Sequence, residues 1–446
     1  MHTLSCIRRK LPPLFSFLSL PFSFLFFIYF SSFILSNRIA SVASSQVHLK
    51  KMNSEDVIWN TDSTNALWIY KCITWATGTW PLQEEGIFST IRFVIAFFGT
   101  LISILMEIRL SCGSVDETLD FFGISLATVA GLTKLIFIKL HRNDLRKILL
   151  SALNNWSAIV DGSSARKIML KYSQRGKFVV RMQMGFAFVI VTAIILDAIP
   201  SPENSQEENA TTSEEFPKRI PLRTMCAFGN MSTSIYWTVF VLQSIQLFNA
   251  VLIESGNDVF FFGISMEICG QLGTLRISFE EFTTGKKEEE DRVEEIRQFV
   301  DKHSHLLDLA RRIEDTFANV LLVLLMTNGV HICLTGNKFV FFNHEFLIDL
   351  NATVAFVVIL IQLFLYSYAG DYLTSLSQDI YHAIYDYPWY ELSPNNVRNL
   401  VFIIMRAHKP FRLRAGRFYP MDIESFKSIL KASFSYFSVL RILFEE

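Results

Sequence analysis

Cysteine, proline and glycine are all scarce in this chain, at 6, 12 and 19 of 446 residues. The cysteines (Cys6, Cys72, Cys112, Cys226, Cys269 and Cys333) are scattered and show no CxxC spacing, so they make neither a disulfide framework nor a zinc site. Only Cys112 and Cys226, which share one side of the topology derived below, are candidates for a bridge. Also missing are an HExxH pair, a glycine-rich phosphate loop and a Ser/His/Asp set in register. Enzyme chemistry, a cofactor and a metal are therefore not expected. A net charge of −1 gives no basic excess, and no nucleic-acid partner is expected.

What the chain has instead is apolar bulk. Apolar residues make up 51% of it, 42 residues are Phe, and the mean hydropathy is +0.32. That composition exceeds what a soluble multidomain protein carries and implies a polytopic membrane protein in a lipid bilayer. Beyond the first fifty residues, stretches long enough to span fall at about 88–108, 119–140, 178–199, 232–253, 317–337, 347–369 and 422–444. The fourth is read as one long helix that leaves the membrane, because Glu267, Gln271, Arg276 and the pair Glu280-Glu281 make its continuation a poor span.

Loop charge sets direction. Lys139, Arg142, Arg146, Lys147, Arg166, Lys167, Lys171, Arg175, Lys177 and Arg181 follow the second span, against only Asp144 and Asp161. By the positive-inside rule that loop is cytosolic, as is the one with Arg406, Lys409, Arg412, Arg414 and Arg417 before the seventh span. The loop after the third span is acidic and holds the sequon Asn209-Ala210-Thr211, so it reads as extracellular and glycosylated at Asn209. The expected fold is all-α, with seven transmembrane helices, a cytosolic N-terminus and an extracellular C-terminus. Arg8-Arg9-Lys10 and the apolar run 11–35 look like a signal or an extra span, yet either use would invert the basic loops. Residues 1–51 are therefore expected to be an extension outside the functional domain, which runs from Met52 to Glu446.

The seventh span is unlike the others. Its 23 residues cover about 34 Å, enough for a hydrocarbon core of about 30 Å, yet it carries Lys427, Lys431 and Arg441. On a helical wheel these fall with Ser428, Ser435 and Ser438 in one arc of about 140°. A charge at mid-bilayer costs roughly 2.5–3.5 kcal/mol, so the arc meets protein or water: either a pore, or a polar neighbour onto which the lysines snorkel. Outside the spans, Val293, Ile296, Val300, His303, Leu307, Ala310, Ile313 and Phe317 recur at steps of three and four. They predict a helix from about 289 into the fifth span, projecting roughly 40 Å from the membrane. With the regions at about 255–316 and 371–421, including a short helix at 397–405, it forms either a bundle within one subunit or an assembly platform.

These pieces together resemble the insect odorant receptor family. The resemblance is carried by Tyr385, Trp389-Tyr390-Glu391-Leu392, Met405-Arg406-Ala407, Lys409-Pro410, Ala415-Gly416-Arg417-Phe418 and the run Ser433 to Leu440. Earlier matches are Trp59-Asn60, Gly78-Thr79-Trp80-Pro81, Asp258 with Gln271 and Leu275, and His305-Leu306-Leu307. The resemblance implies an odorant-specific subunit of a ligand-gated, nonselective cation channel, assembled with a co-receptor as a hetero-tetramer in the plasma membrane of olfactory sensory neurons. It also implies that the seventh span lines the pore, with Val439 at an apolar gate and Ser438 beside it. Ser435 and Lys431 lie on the polar arc. A small apolar odorant needs an aromatic pocket, for which the outer halves of the spans offer Phe121, Phe122, Tyr236, Trp237, Phe240 and Phe356. His331, alone on the fifth span, reads as a core histidine. A G-protein-coupled receptor would need the opposite orientation, a gustatory receptor a Thr-Tyr and Gln-Phe pattern in the last span, and a transporter inverted halves.

Overall fold

The computed structural model describes residues 59–84, 86–110, 115–199, 220–221, 232–284, 289–341, 350–386, 389–391 and 393–445. Nearly all of them are helical: α1 (Thr61–Ala76), α2 (Ile87–Leu110), α3 (Val115–Leu140), α4 (Arg142–Ala158), α5 (Ser164–Asp197), α6 (Thr233–Thr284), α7 (Glu289–Phe341), α8 (Leu350–Tyr385), α9 (Pro394–Ala407) and α10 (Ile423–Glu445). All seven predicted spans fall on helices: α2, α3, α5, α6, α7, α8 and α10. The residues 1–51, Asn209, Cys112 and Cys226 lie outside the described residues.

Helix boundaries follow ordinary capping chemistry. Asn60 starts α1 with a reciprocal box, its side chain accepting from Ser63 N–H at 2.7 Å while Ser63 Oγ accepts from Asn60 N–H at 3.0 Å. Ser163 caps α5 by accepting from Arg166 N–H, and Pro394 opens α9, where no N–H is needed. Between α9 and α10 a minimal hairpin pairs β1 (Arg414–Ala415) with β2 (Tyr419–Pro420). Three residues, Gly416-Arg417-Phe418, make its loop: Gly416 and Arg417 turn the chain with φ of 58° and 68°, and Phe418 N–H donates back to the Ala415 carbonyl at 3.3 Å.

α6, α7 and α8 are far longer than a membrane is thick. At 1.5 Å per residue the 52 residues of α6 run about 78 Å, and the 53 of α7 about 80 Å. α6 is the hub, packing on α1, α2, α3, α4, α5, α7 and α8. Its continuation beyond the predicted span, Val259 to Leu275, is almost wholly buried. So the continuation of α6 is the core of a second bundle. α7 runs antiparallel beside it, with the rings of Phe279 and Phe299 4.6 Å apart. The stripe predicted on α7 needs one correction. Ile296, His303, Leu307, Ala310, Ile313 and Phe317 are buried, but Val293 and Val300 are 44% and 37% exposed. Ile296, Phe299, His303 and Leu306 make one buried face there, Phe299 against α6, and the covered face is narrower than the drawn stripe. Val293 and Val300 sit on its shoulder. The region predicted from about 371 begins as the tail of α8, which stops at Tyr385 before a 3-10 turn at Trp389–Glu391.

Three buried or paired groups tie this second bundle together. Glu267 accepts from Trp156 Nε1–H at 2.9 Å, and burial, opposed by that bond and by Lys177, pushes its carboxyl up to about 7. Arg166 forks onto Asp62 at 2.7 and 3.1 Å and holds that carboxyl below its usual range. Burial, with Arg406 nearby, lowers His303 to about 4, so it stays neutral at pH 7.

Candidate functional site

Three places along the spans carry chemistry. The first lies at the Tyr236 end. Tyr236 and Phe240, one turn apart on α6, are buried at 2% and 7% exposure with Ala198 and Ile220, against Ile195 and Val239. Their ring centroids are 6.1 Å apart. Trp237 between them faces outward, half exposed, as a belt residue does. α5 and α6 thus enclose a small aromatic cluster, separate from the main core, with the Tyr236 hydroxyl as its polar handle. Phe356 on α8 is half-buried. The side chains of Phe121 and Phe122 fall outside the described residues. His331 lies over Gly123, where an added Cβ would come 2.7 Å from its Nε2.

The second place was not anticipated from the sequence. Toward the Leu140 end, Lys134 of α3 is 1% exposed and holds two carboxylates of α6, Glu254 Oε2 at 2.7 Å and Asp258 Oδ1 at 2.9 Å. Asp258 also accepts from Tyr366 Oη at 2.6 Å and from Gln362 Nε2 at 2.7 Å, both on α8. Gln362 Oε1 in turn accepts from Asn328 Nδ2 of α7 at 3.1 Å. Four helices meet in this one chain of contacts. Both oxygens of Asp258 are satisfied, as a buried carboxylate requires. The signal was present: Glu254 and Asp258 stand i,i+4 on one helix face, and Lys134 is the one cation inside the apolar run from Leu126 to Ile138.

The third place is α10. Its Phe426, Ile429 and Leu430 side is half-buried, and α10 packs on α7 and α8, with the rings of Phe364 and Phe426 5.6 Å apart. Lys427, Ser428, Lys431, Ser435 and Ser438 are all exposed. Lys427 reaches Glu424 at 3.3 Å, one turn back. The Val439 side chain lies outside the described ones.

Both the sequence and the helical fold are matched in known proteins. The family model described as 7tm Odorant receptor matches residues 114–434. The chain belongs to the insect odorant receptor family. Odorant receptor 10 of Aedes albopictus is 25% identical over 209 residues, 46% of this chain and 55% of that protein. Odorant receptor 13a of Drosophila melanogaster is 28% identical over 191 residues, 40% of this chain and 46% of that one. These alignments span about half the length of the relatives they match. Odorant receptor 9a of the same fly aligns more widely, at 23% identity over 72% of this chain and 80% of its own. Among solved structures, the olfactory receptor OR5 of Machilis hrabei in complex with eugenol superposes with a TM-score of 0.68 at 15% identity, covering 86% of this chain and 100% of that one. At that identity the likeness concerns the fold: an all-α, polytopic membrane protein.

Proposed function

We propose that this odorant receptor is an odorant-specific subunit of a ligand-gated, nonselective cation channel that assembles with a co-receptor as a tetramer, in the plasma membrane of olfactory sensory neurons. The observation that carries the reading is the open polar side of α10. One flank of that helix is packed against its own chain, while two lysines and three serines face away from it, with Phe434 and Tyr436 exposed among them, in a helix long enough to span. Exposed to lipid, that face would be costly; converging with copies from other subunits on a water-filled axis, it is a pore lining. In this reading the N-terminal side is cytosolic and the Glu446 side extracellular, which puts the Leu140 end inside and the Tyr236 end outside. Exposed Val293 and Val300 on α7, with Val401, Phe402 and Met405 on α9, then supply apolar surface for subunits to share below the membrane.

The ligand reaches the outer cluster. Tyr236 and Phe240 offer two ring faces and one hydroxyl, a chemistry suited to a small apolar molecule with a single polar group. Phe122 and Phe356 are proposed as further walls, and Asn209 as a glycosylated outer-loop residue.

The test is electrical. Cells expressing the chain with a co-receptor should pass odorant-evoked cation current, and cells expressing either alone should not show the same ligand ranking. Val439→Ser should raise ligand-independent current or alter permeability at normal surface levels, because a polar ring wets an apolar gate. Wild-type gating and permeation at normal surface levels would return α10 to a packing role.

A further inference from the structure

Among the described residues, Arg175 of α5 is held by tyrosines and not by a carboxylate. Its Nη1 donates to Tyr372 Oη of α8 at 2.6 Å, and its guanidinium lies 5.5 Å from the centre of the Tyr172 ring and 5.1 Å from that of Tyr372. From Tyr372 a row of rings runs along α8. Tyr368 is 4.6 Å from Tyr372 and Phe364 is 5.5 Å from Tyr368, so three rings at steps of four share one helix face over about 12 Å. The row ends on α10, where Phe426 of the first turn meets Phe364 edge to face at 5.6 Å. A second contact ties the foot of α10 to α8: the Met421 carbonyl lies against Gly370, where a Cβ would not fit. With ring and backbone both seated, that foot cannot stay in place when α8 shifts.

α5 also packs along α6, and toward its far end Ile195, about 30 Å along the helix from Arg175, packs into the Tyr236 cluster. A helix displaced there carries Arg175 with it, and what Arg175 meets on α8 can give way. A buried ion pair resists separation strongly, whereas a cation over a ring is a weaker contact whose strength follows its position. We propose that Arg175 is a positioning residue for gating: it passes displacement of α5 through Tyr372 and the α8 rings to the foot of α10. This role rests on the channel reading, in which α5 meets the ligand and α10 lines the pore.

Odorant-evoked current from the full-length chain co-expressed with a co-receptor, read beside surface biotinylation, tests it. Arg175→Gln should raise the half-maximal odorant concentration about ten-fold at wild-type surface levels, within the roughly 5–150-fold that coupling between two sites spans. Arg175→Lys, which restores a cation, should recover part of that shift. Tyr372→Phe keeps the ring and loses the hydroxyl, so it should shift the same curve about three-fold, and it carries the test alone if Arg175→Gln fails to reach the surface. Combined, the two should shift the curve no further than Arg175→Gln does, because both act on one contact. Shifts that multiply in the double variant, or unshifted curves in the single variants at normal surface levels, would overturn this role alone. A wild type that passes no odorant-evoked current would overturn the channel reading, and the role of Arg175 with it.

Discussion

Lys134 and Lys431 are both lysines in helices read as spans, and the fold treats them oppositely. Lys134 is sealed among two carboxylates, while Lys431 stands exposed on α10. A single chain that resolves one buried cation through four helices and leaves another facing outward has completed the first environment and not the second. The Lys134 network is complete within one chain; in the proposed channel, the α10 face is completed by the subunits that converge on it. That contrast sets the expected size of each perturbation.

The largest effect should come from Lys134→Met. Removing one partner of a buried pair leaves Glu254 and Asp258 facing each other without a cation, at a cost of about 3–5 kcal/mol. Surface delivery should collapse, and adding Glu254→Gln should recover part of it by removing one of the stranded charges. Surface biotinylation reads both. Normal delivery of Lys134→Met would mean that the two carboxylates find other neutralisation, and the contrast with Lys431 would fail.

Next in size is Phe240→Ala at the outer cluster. Truncating a buried Phe costs about 3–5 kcal/mol in a well-packed core, and less where lipid or ligand can refill the gap. Tyr236→Phe removes only the hydroxyl. Phe240→Ala should lower potency for the best odorants, and Tyr236→Phe should change their ranking while surface levels hold. Dose–response curves identical to wild type across a broad panel would make the cluster packing alone.

How much of this was legible depends on range. Seven spans could be read because each is a local run of apolar residues, and the 53-residue α7 because its period never breaks between Ile296 and the fifth span. Tyr236 and Phe240 could be picked out because they are aromatic and one turn apart. The Lys134 network could not, since its members are 120 residues apart in one pairing and lie on four helices, and the pentapeptide from Glu254 to Asp258 looks locally like the end of a span. Which part of the α7 stripe its own chain covers could not be read either: periodicity marks an apolar stripe but not how wide a seam the neighbour covers, and Val293 and Val300 stay open.

Glu267 sharpens the comparison by pH, being a buried carboxyl with a Trp N–H donor and no cation in contact. Its folded-state value of about 7 stands above the ordinary 4.5, so the folded form binds the proton more tightly than the unfolded one. Its contribution is complete below about 4.5 and is lost as pH rises through about 7. The span of roughly 2.5 units bounds the loss at about 3 kcal/mol. Glu267→Gln should therefore flatten the fall of the unfolding temperature between about pH 4.5 and 7, the difference being complete above pH 7. A wild-type profile already flat over that interval would mean that Lys177 neutralises the carboxylate.

The smallest effect on stability is expected at the other member of the opening pair. Lys427→Ala and Lys431→Ala remove exposed side chains for which, among the described residues, the one ion pair is that of Lys427 with Glu424 across one turn. Such changes usually stay within about 0.5 kcal/mol, so surface levels and unfolding temperature should match wild type. Conductance is the informative readout. Lysines in a wide, water-filled inner vestibule are screened within about 8–10 Å at physiological salt, so their removal should raise unitary cation conductance modestly and leave gating alone. The change should shrink as salt is raised. A large loss of surface expression in either variant would place these ammonium groups against a polar partner helix, and Lys431 would then be a second Lys134, completed only in the assembly.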